Sequence, residues 1–295
     1  MSGSGVPPRG NRRPGLSFDD HRRDGAERTM VYPVMSRRAG GLSIGVNLNL
    51  GQECNWACVY CEVKGLVRGA PGPVDLARLE QELDAVLTEA SSGRWSTSAA
   101  GAGARSEIRD ISIAGDGEPT LSPQFDRAVE ICARLREQHG LEGSARLVVI
   151  TNGSRLHVPE IEAGVRRLGE AGGSLWFKLD GGTPAAREAV NDVAIPDARV
   201  EANLVLATAA CATWVQCMVL SIDGEGPSHE EVDRRVKLLE RACEAGARPA
   251  GVVIYGLARP SQQPGAHRLS PLAGARLQAV AERFEGLQLP LQVVE

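Results

Sequence analysis

The sequence predicts an α/β protein, a partial (βα)6 TIM-like barrel of parallel strands preceded by a basic, disordered N-terminal tail. Three observations carry that expectation. Short apolar runs rich in β-formers alternate with segments of helical period, as serial βα units require. Helix starts are marked chemically, and the residues with unusual chemistry fall just after the strand runs, where the loops of such a barrel gather.

Residues 1–40 carry eight Arg against four Asp and Glu and are rich in Gly and Pro, the composition of a disordered tail, although an RNA-binding arm has the same look. Met30, just ahead of Val31-Tyr32-Pro33-Val34, is an alternative start that would make residues 1–29 an extension. The first strand is expected over residues 41–50, and residues 74–90 form an amphipathic helix with Leu76, Leu79, Leu83 and Leu87 on one face. Residues 91–106, rich in Ser, Gly and Ala with one Trp, read as a flexible insertion within a catalytic domain spanning 41–295. Further strands are expected at 109–114, 146–151, 175–180, 213–222 and 252–257, each followed by a helix-sized segment, with a final edge strand over 289–294. Ser122 before Pro123 and Ser270 before Pro271 mark helix starts, and Ser228 with Glu231 forms a capping box.

Composition narrows the class. With 295 residues, 42% of them hydrophobic, the chain is long enough for one barrel domain. The net charge is −4, so beyond the basic first forty residues the body carries −8, which argues against a large RNA substrate. No apolar leader is visible, and the most apolar stretch, residues 204–222, is interrupted by Thr208, Thr213, Gln216 and Ser221, so no membrane span is expected. Seven cysteines do not make a secreted disulfide framework, and the default compartment is the reducing cytoplasm.

Three of those cysteines are the most informative residues. Cys54, Cys58 and Cys61 lie in Cys54-Asn55-Trp56-Ala57-Cys58-Val59-Tyr60-Cys61, and three thiolates on one short loop can hold three irons of a 4Fe-4S cluster while the fourth iron stays open. A structural zinc site wants a fourth ligand, and no second pair lies at suitable spacing; the other alternative is three cysteines buried as small hydrophobes. Cys132, Cys211, Cys217 and Cys243 are expected in the core.

With the aromatic residue before its last cysteine, this motif resembles that of the radical S-adenosylmethionine (SAM) superfamily. The resemblance implies a 4Fe-4S cluster whose open iron chelates the amino and carboxylate groups of SAM, with reductive cleavage to a 5'-deoxyadenosyl radical. It also implies an external electron donor such as flavodoxin or ferredoxin. Gly115-Asp116-Gly117-Glu118-Pro119 resembles the superfamily's glycine-glycine-glutamate-proline motif, with Asp116 as an extra residue, and implies that Glu118 and nearby backbone bind the SAM amino group. By the same resemblance Tyr60 sits beside adenine, largely through its backbone. Gly115 and Gly117 also fit a simple turn; Asn152 and Ser154 suit ribose hydroxyls, yet Thr151-Asn152-Gly153 is equally a strand-ending turn.

Within the superfamily the chain is most similar to the wyosine-synthesis-type branch, which modifies transfer RNA, over residues 41–280. The likeness includes Gly45-Val46-Asn47, residues 115–121, Ile150 to Ser154, Lys178-Leu179-Asp180 and Ile254 to Pro260. That branch carries three further cysteines before the SAM cluster, and residues 1–53 contain none, so the resemblance carries over the SAM chemistry and not the RNA substrate. An iron-sulfur electron carrier that never cleaves SAM is the alternative from another class; Glu118 and its glycines favour the enzyme, since a carrier needs no ligand pocket.

Strand parity supplies the remaining candidates. Trp176, Lys178 and Asp180 share one face of the fourth strand and line the barrel. Lys178 is one of three lysines against 30 arginines; it reads either as an ion pair with Asp180 or as a desolvated base or imine-forming nucleophile, which makes Lys178 and Asp180 the catalytic candidates. Asn47 and Asn49 on the first strand, Gln216 on the fifth and Arg259 after the sixth are the candidate substrate contacts.

Overall fold

The computed structural model describes residues 29–92, 95 and 107–294. Residues 1–28 of the expected tail and nearly all of the Ser/Gly/Ala insertion lie outside the described residues. Trp95 does not, and it packs against the main hydrophobic core.

The chain opens with β1 (Val31–Ser36) and β2 (Gly41–Val46), a hairpin, followed by the two-residue strands β3 (Glu53–Cys54) and β4 (Val67–Arg68). Helix α1 (Leu76–Ser91) follows, capped by Asp75, whose side chain accepts from the Arg78 backbone N–H at 3.0 Å. Then come β5 (Ile108–Ile113), α2 (Phe125–Gln138), β6 (Arg146–Thr151), α3 (Pro159–Glu170) and β7 (Ser174–Lys178). Two helices, α4 (Pro184–Asn191) and α5 (Asp197–Ala210), precede β8 (Ala212–Met218), the short β9 (Ser221–Ile222) and α6 (His229–Glu244). The chain closes with β10 (Gly251–Tyr255), the short β11 (Leu269–Ser270), α7 (Gly274–Glu282) and β12 (Leu291–Val294).

Eight strands form one curled sheet in the order β1-β2-β5-β6-β7-β8-β10-β12, parallel throughout except for the β1–β2 pair. The expected partial barrel is therefore present. One sheet face is covered by the helices and holds the main core, with Val215 and Cys217 of β8 turned into it; the opposite face carries a smaller cluster of Tyr60, Met218, Leu220, Val253 and Tyr255. That alternation along β8 places Trp214, Gln216 and Met218 inside the barrel. Among the described residues no helix is long and apolar enough to cross a membrane.

Several expectations are corrected. The last residues of the expected tail form strand β1, with Met30, Val31, Val34 and Met35 buried. Pro33 disguised it, because proline reads as a strand breaker; on an edge strand its missing N–H costs no ladder bond. The buried Glu82 of α1 fixes the strand's start by accepting from the Met30 N–H at 2.9 Å and the Val31 N–H at 3.2 Å. The expected strand 213–222 ends at Met218, and Ser221 instead pairs with Ser270 of β11, so Ser270 closes a strand and α7 starts at Gly274. Ser122 ends a 3-10 turn over Pro119–Leu121, three residues before α2. Ser228 caps α6 as expected, but the Glu231 carboxylate serves the Gly182 N–H at 2.6 Å and Arg235 instead of completing the box. Cys132, Cys211 and Cys217 are buried, whereas Cys243 is part-exposed.

Candidate functional site

The cysteine loop leaves the C-terminal end of β2 and is held from several sides. Ala57 N–H donates to the Asn191 carbonyl at 3.1 Å and Val59 N–H to the Val190 carbonyl at 2.9 Å, both at the end of α4. On the other flank Ser261 Oγ donates to the Val59 carbonyl at 2.7 Å and Gln262 N–H to the Cys61 carbonyl at 2.9 Å. Asn55, inside the motif, donates to Ser154 Oγ at 2.8 Å and accepts from Asn152 Nδ2 at 2.8 Å, which ties the loop to the end of β6.

All three thiols are free of disulfides and part-exposed. Asn191 Nδ2 donates to Cys58 Sγ at 3.2 Å, and the Trp56 N–H donates to Cys54 Sγ at 3.4 Å. Burial, seconded by the nearby Glu118, pushes the Cys54 thiol up to about 12; burial, opposed by Lys178, pushes Cys58 up to about 11. Iron binding must therefore displace protons. Among the described residues no three His, Cys, Asp or Glu side chains are grouped for a single metal ion. A cubane cluster does not demand that, since each thiolate takes a different iron, and three free, part-exposed thiols on one braced loop fit its donor set.

The Gly115 to Glu118 loop, after β5, packs directly on this loop. A Cβ on Gly117 would run into the Glu53 carbonyl, and one on Gly115 into the Asn47 amide. Neither glycine has a positive φ, so close approach, and not special dihedrals, is what these positions require. Glu118, 3% exposed, is turned inward: Oε1 accepts from Thr120 N–H at 3.1 Å, Thr120 Oγ1 at 2.6 Å and Thr151 Oγ1 at 2.6 Å, and Oε2 from Asn152 N–H at 2.7 Å. The carboxylate expected to meet a cationic ligand is thus largely occupied by its own chain, and burial still raises its pKa against those donors.

Asn47 and Asn49 are likewise structural. Asn47 donates to Asp116 at 2.8 Å and accepts from the Asp116 N–H at 3.0 Å, while Asn49 Nδ2 donates to the carbonyls of Glu53 at 3.0 Å and Glu118 at 3.1 Å. These bonds make the two side chains the seam between the two loops.

Inside the barrel, Asp180 accepts from the Tyr60 hydroxyl, from Asn191 Nδ2 at 2.9 Å and from the Met218 N–H at 3.0 Å. That leaves no Lys178–Asp180 ion pair; the Lys178 ammonium stands 4.7 Å from the Tyr60 ring centroid. Burial pulls the Lys178 pKa down, but Tyr255, Asp180 and Cys58 outweigh it and hold the ammonium above its usual range. These neighbours favour a charged Lys178, a fixed cation, over the desolvated base. Gln216 is fully buried on the inner face and accepts from Arg38 Nη1 at 2.6 Å. Arg259 reaches the rim but forks onto Glu62, next to Cys61, with Nη2 to Oε1 at 2.9 Å.

Three participants escaped the sequence reading. Arg38 lay in the segment taken as tail, Asn191 ends a helix that was not separated from α5, and Asn55 was overlooked although it sits within the cysteine motif.

Comparison with known proteins bears on this geometry. The family model described as the Radical SAM superfamily matches residues 48–239. A Helicobacter pylori (strain ATCC 700392 / 26695) protein described as "UPF0026 protein" is 25% identical over 135 residues, 45% of this chain and 38% of that protein, so the chain aligns with well under half of the curated relative's length. A radical SAM methyltransferase from Sphaerobacter thermophilus superposes with a TM-score of 0.58 at 16% identity, covering 86% of this chain and 66% of that one. Archaeal TYW1 gives a TM-score of 0.48 at 12% identity, covering 83% of this chain and 71% of that one.

Proposed function

The chain belongs to the radical SAM superfamily, an enzyme superfamily whose cofactors are a 4Fe-4S cluster and SAM, and from that membership we propose that it abstracts a hydrogen atom from a small substrate held in the barrel. The observation that carries this reading is the bracing of Cys54, Cys58 and Cys61 at the C-terminal end of the sheet, with the glycine loop pressed against them. When bound, the cluster supplies the electron that cleaves SAM to methionine and a 5'-deoxyadenosyl radical.

The chain's own residues hold and orient. Cys54, Cys58 and Cys61 would ligate three irons, with Asn191 donating to the Cys58 sulfur. The Gly115 to Gly117 backbone, kept in place by Asn47, Asn49 and Glu118, would receive the SAM amino group, and Asn152 and Ser154, oriented by Asn55, the ribose. Lys178 acts as a fixed positive charge and Tyr60 with Asp180 as its support. Apolar walls from Met218, Val253 and Tyr255 keep water from the reacting atoms. The reductant is a small one-electron carrier such as flavodoxin or ferredoxin, and the cytoplasm is the compartment that suits an oxygen-sensitive centre.

Electron paramagnetic resonance of the anaerobically reconstituted, reduced protein tests this reading. A 4Fe-4S signal that changes on addition of SAM is expected. A cluster signal indifferent to saturating SAM would make the chain an iron-sulfur carrier.

A further inference from the structure

Hydrogen bonding does not balance in the barrel interior. Arg38 enters from the β1–β2 turn, at the N-terminal end of the parallel strands and so opposite the cysteine loop. Its guanidinium lies 5.6 Å from the Trp176 ring centroid and 5.5 Å from that of Tyr255. Among the described residues it forms no ion pair within 4 Å: the interior carboxylate Asp110, on which its charge also acts, is taken by Ser43 and faces Arg146 at 3.8 Å. Its hydrogen bond goes to Gln216 Oε1.

That bond settles the Gln216 amide. A guanidinium only donates, so the oxygen must face Arg38 and Nε2 must point away. Nε2 is buried and has no partner, and the residue is 0% exposed. Gln216 sits on the inner face between Trp214 and Met218, paired in register with Lys178. A buried donor without an acceptor and a part-buried guanidinium with no carboxylate at ion-pair distance therefore stand side by side. Buried donors are normally satisfied.

We propose that a carboxylate of the substrate completes this pair, one oxygen on the Arg38 guanidinium and the other on Gln216 Nε2. The proposal rests on reading the barrel as the substrate chamber of the radical enzyme. A carboxylate suits the donors on offer: with Trp176 and Tyr255 beside the guanidinium, its planar edge is left for a planar, two-oxygen partner. A phosphate would present three oxygens to fewer donors. Arg38 and Gln216 belong to neither the cysteine loop nor the glycine loop, which distinguishes this site from the one that would hold the carboxylate of SAM.

The test is equilibrium dialysis of labelled succinate against the reconstituted full chain at low salt, with neutral succinamide and inorganic phosphate as competitors. Saturable succinate binding is expected, displaced by neither succinamide nor saturating SAM, and by phosphate only weakly. Arg38→Ala should weaken it at least about thirtyfold, the loss that follows removal of one partner of a buried charge pair. Gln216→Glu places a carboxylate beside Arg38, retains the fold and should abolish binding; Arg37→Ala, a neighbouring exposed arginine, should change nothing. Absence of binding to wild type, equal binding by Arg38→Ala, or displacement by SAM would each overturn the proposal. SAM cleavage by the same wild-type sample is scored separately: cleavage without an Arg38-dependent anion site sinks this inference alone, and the site without cleavage sinks the radical reading alone.

Discussion

The side-chain nitrogen of Asn191 donates both to the sulfur of Cys58 at 3.2 Å and to the carboxylate of Asp180 at 2.9 Å. One amide thereby links a proposed cluster ligand to the residue that anchors Tyr60. Hydrogen bonds to ligating sulfurs raise a cluster's reduction potential by stabilising the added electron. Asn191→Leu should therefore retain iron but move the midpoint to more negative potential, read by a redox titration followed by electron paramagnetic resonance. An unchanged midpoint would show that this contact does not tune the centre.

Gly117→Ala tests the loop seam. Its methyl group would overlap the Glu53 carbonyl, a backbone atom that cannot swing aside. The variant should lower the melting temperature and lose iron during reconstitution, whereas Gly143→Ala, in open space, should do neither. Full iron content in Gly117→Ala would contradict the packing argument.

Glu118→Gln probes a carboxylate that accepts four hydrogen bonds from the chain. The substituted amide must turn an N–H toward groups that only donate or are already committed. A loss of about 1–3 kcal/mol is expected from thermal or urea unfolding, together with weaker SAM binding. Unaltered stability would mean that the carboxylate is not the framework element its contacts describe.

Lys178 is read as a fixed charge, and arginine, which stays protonated, separates that from a base. Lys178→Arg should retain activity within about tenfold, while Lys178→Ala should lose about a hundredfold, the scale of one electrostatic contact in a closed site. Equal inactivity of both variants, with intact clusters, would restore the base.

Much of this was legible in the sequence for physical reasons. Alternation of apolar runs with helical periods marks strands whatever their tertiary neighbours, so β5, β6, β7, β8 and β10 fall within a few residues of expectation. The cysteine spacing and the glycine loop declare their chemistry by residue type. What stayed hidden depends on distant partners. Glu118 reads as a ligand because nothing local shows that Thr151 and Asn152, over thirty residues on, will occupy it. Lys178 reads as an Asp180 partner until the fold delivers Tyr60 to both. Strand β1 is ordered by Glu82, fifty-two residues away from Met30, and no local pattern announces that.

The most direct test of the radical reading is anaerobic reconstitution of wild type and Cys58→Ala with iron and sulfide, followed by reduction with dithionite and assay of 5'-deoxyadenosine from SAM. Formation of the nucleoside by wild type and not by Cys58→Ala is the predicted result. A well-formed wild-type cluster that yields no 5'-deoxyadenosine would contradict it.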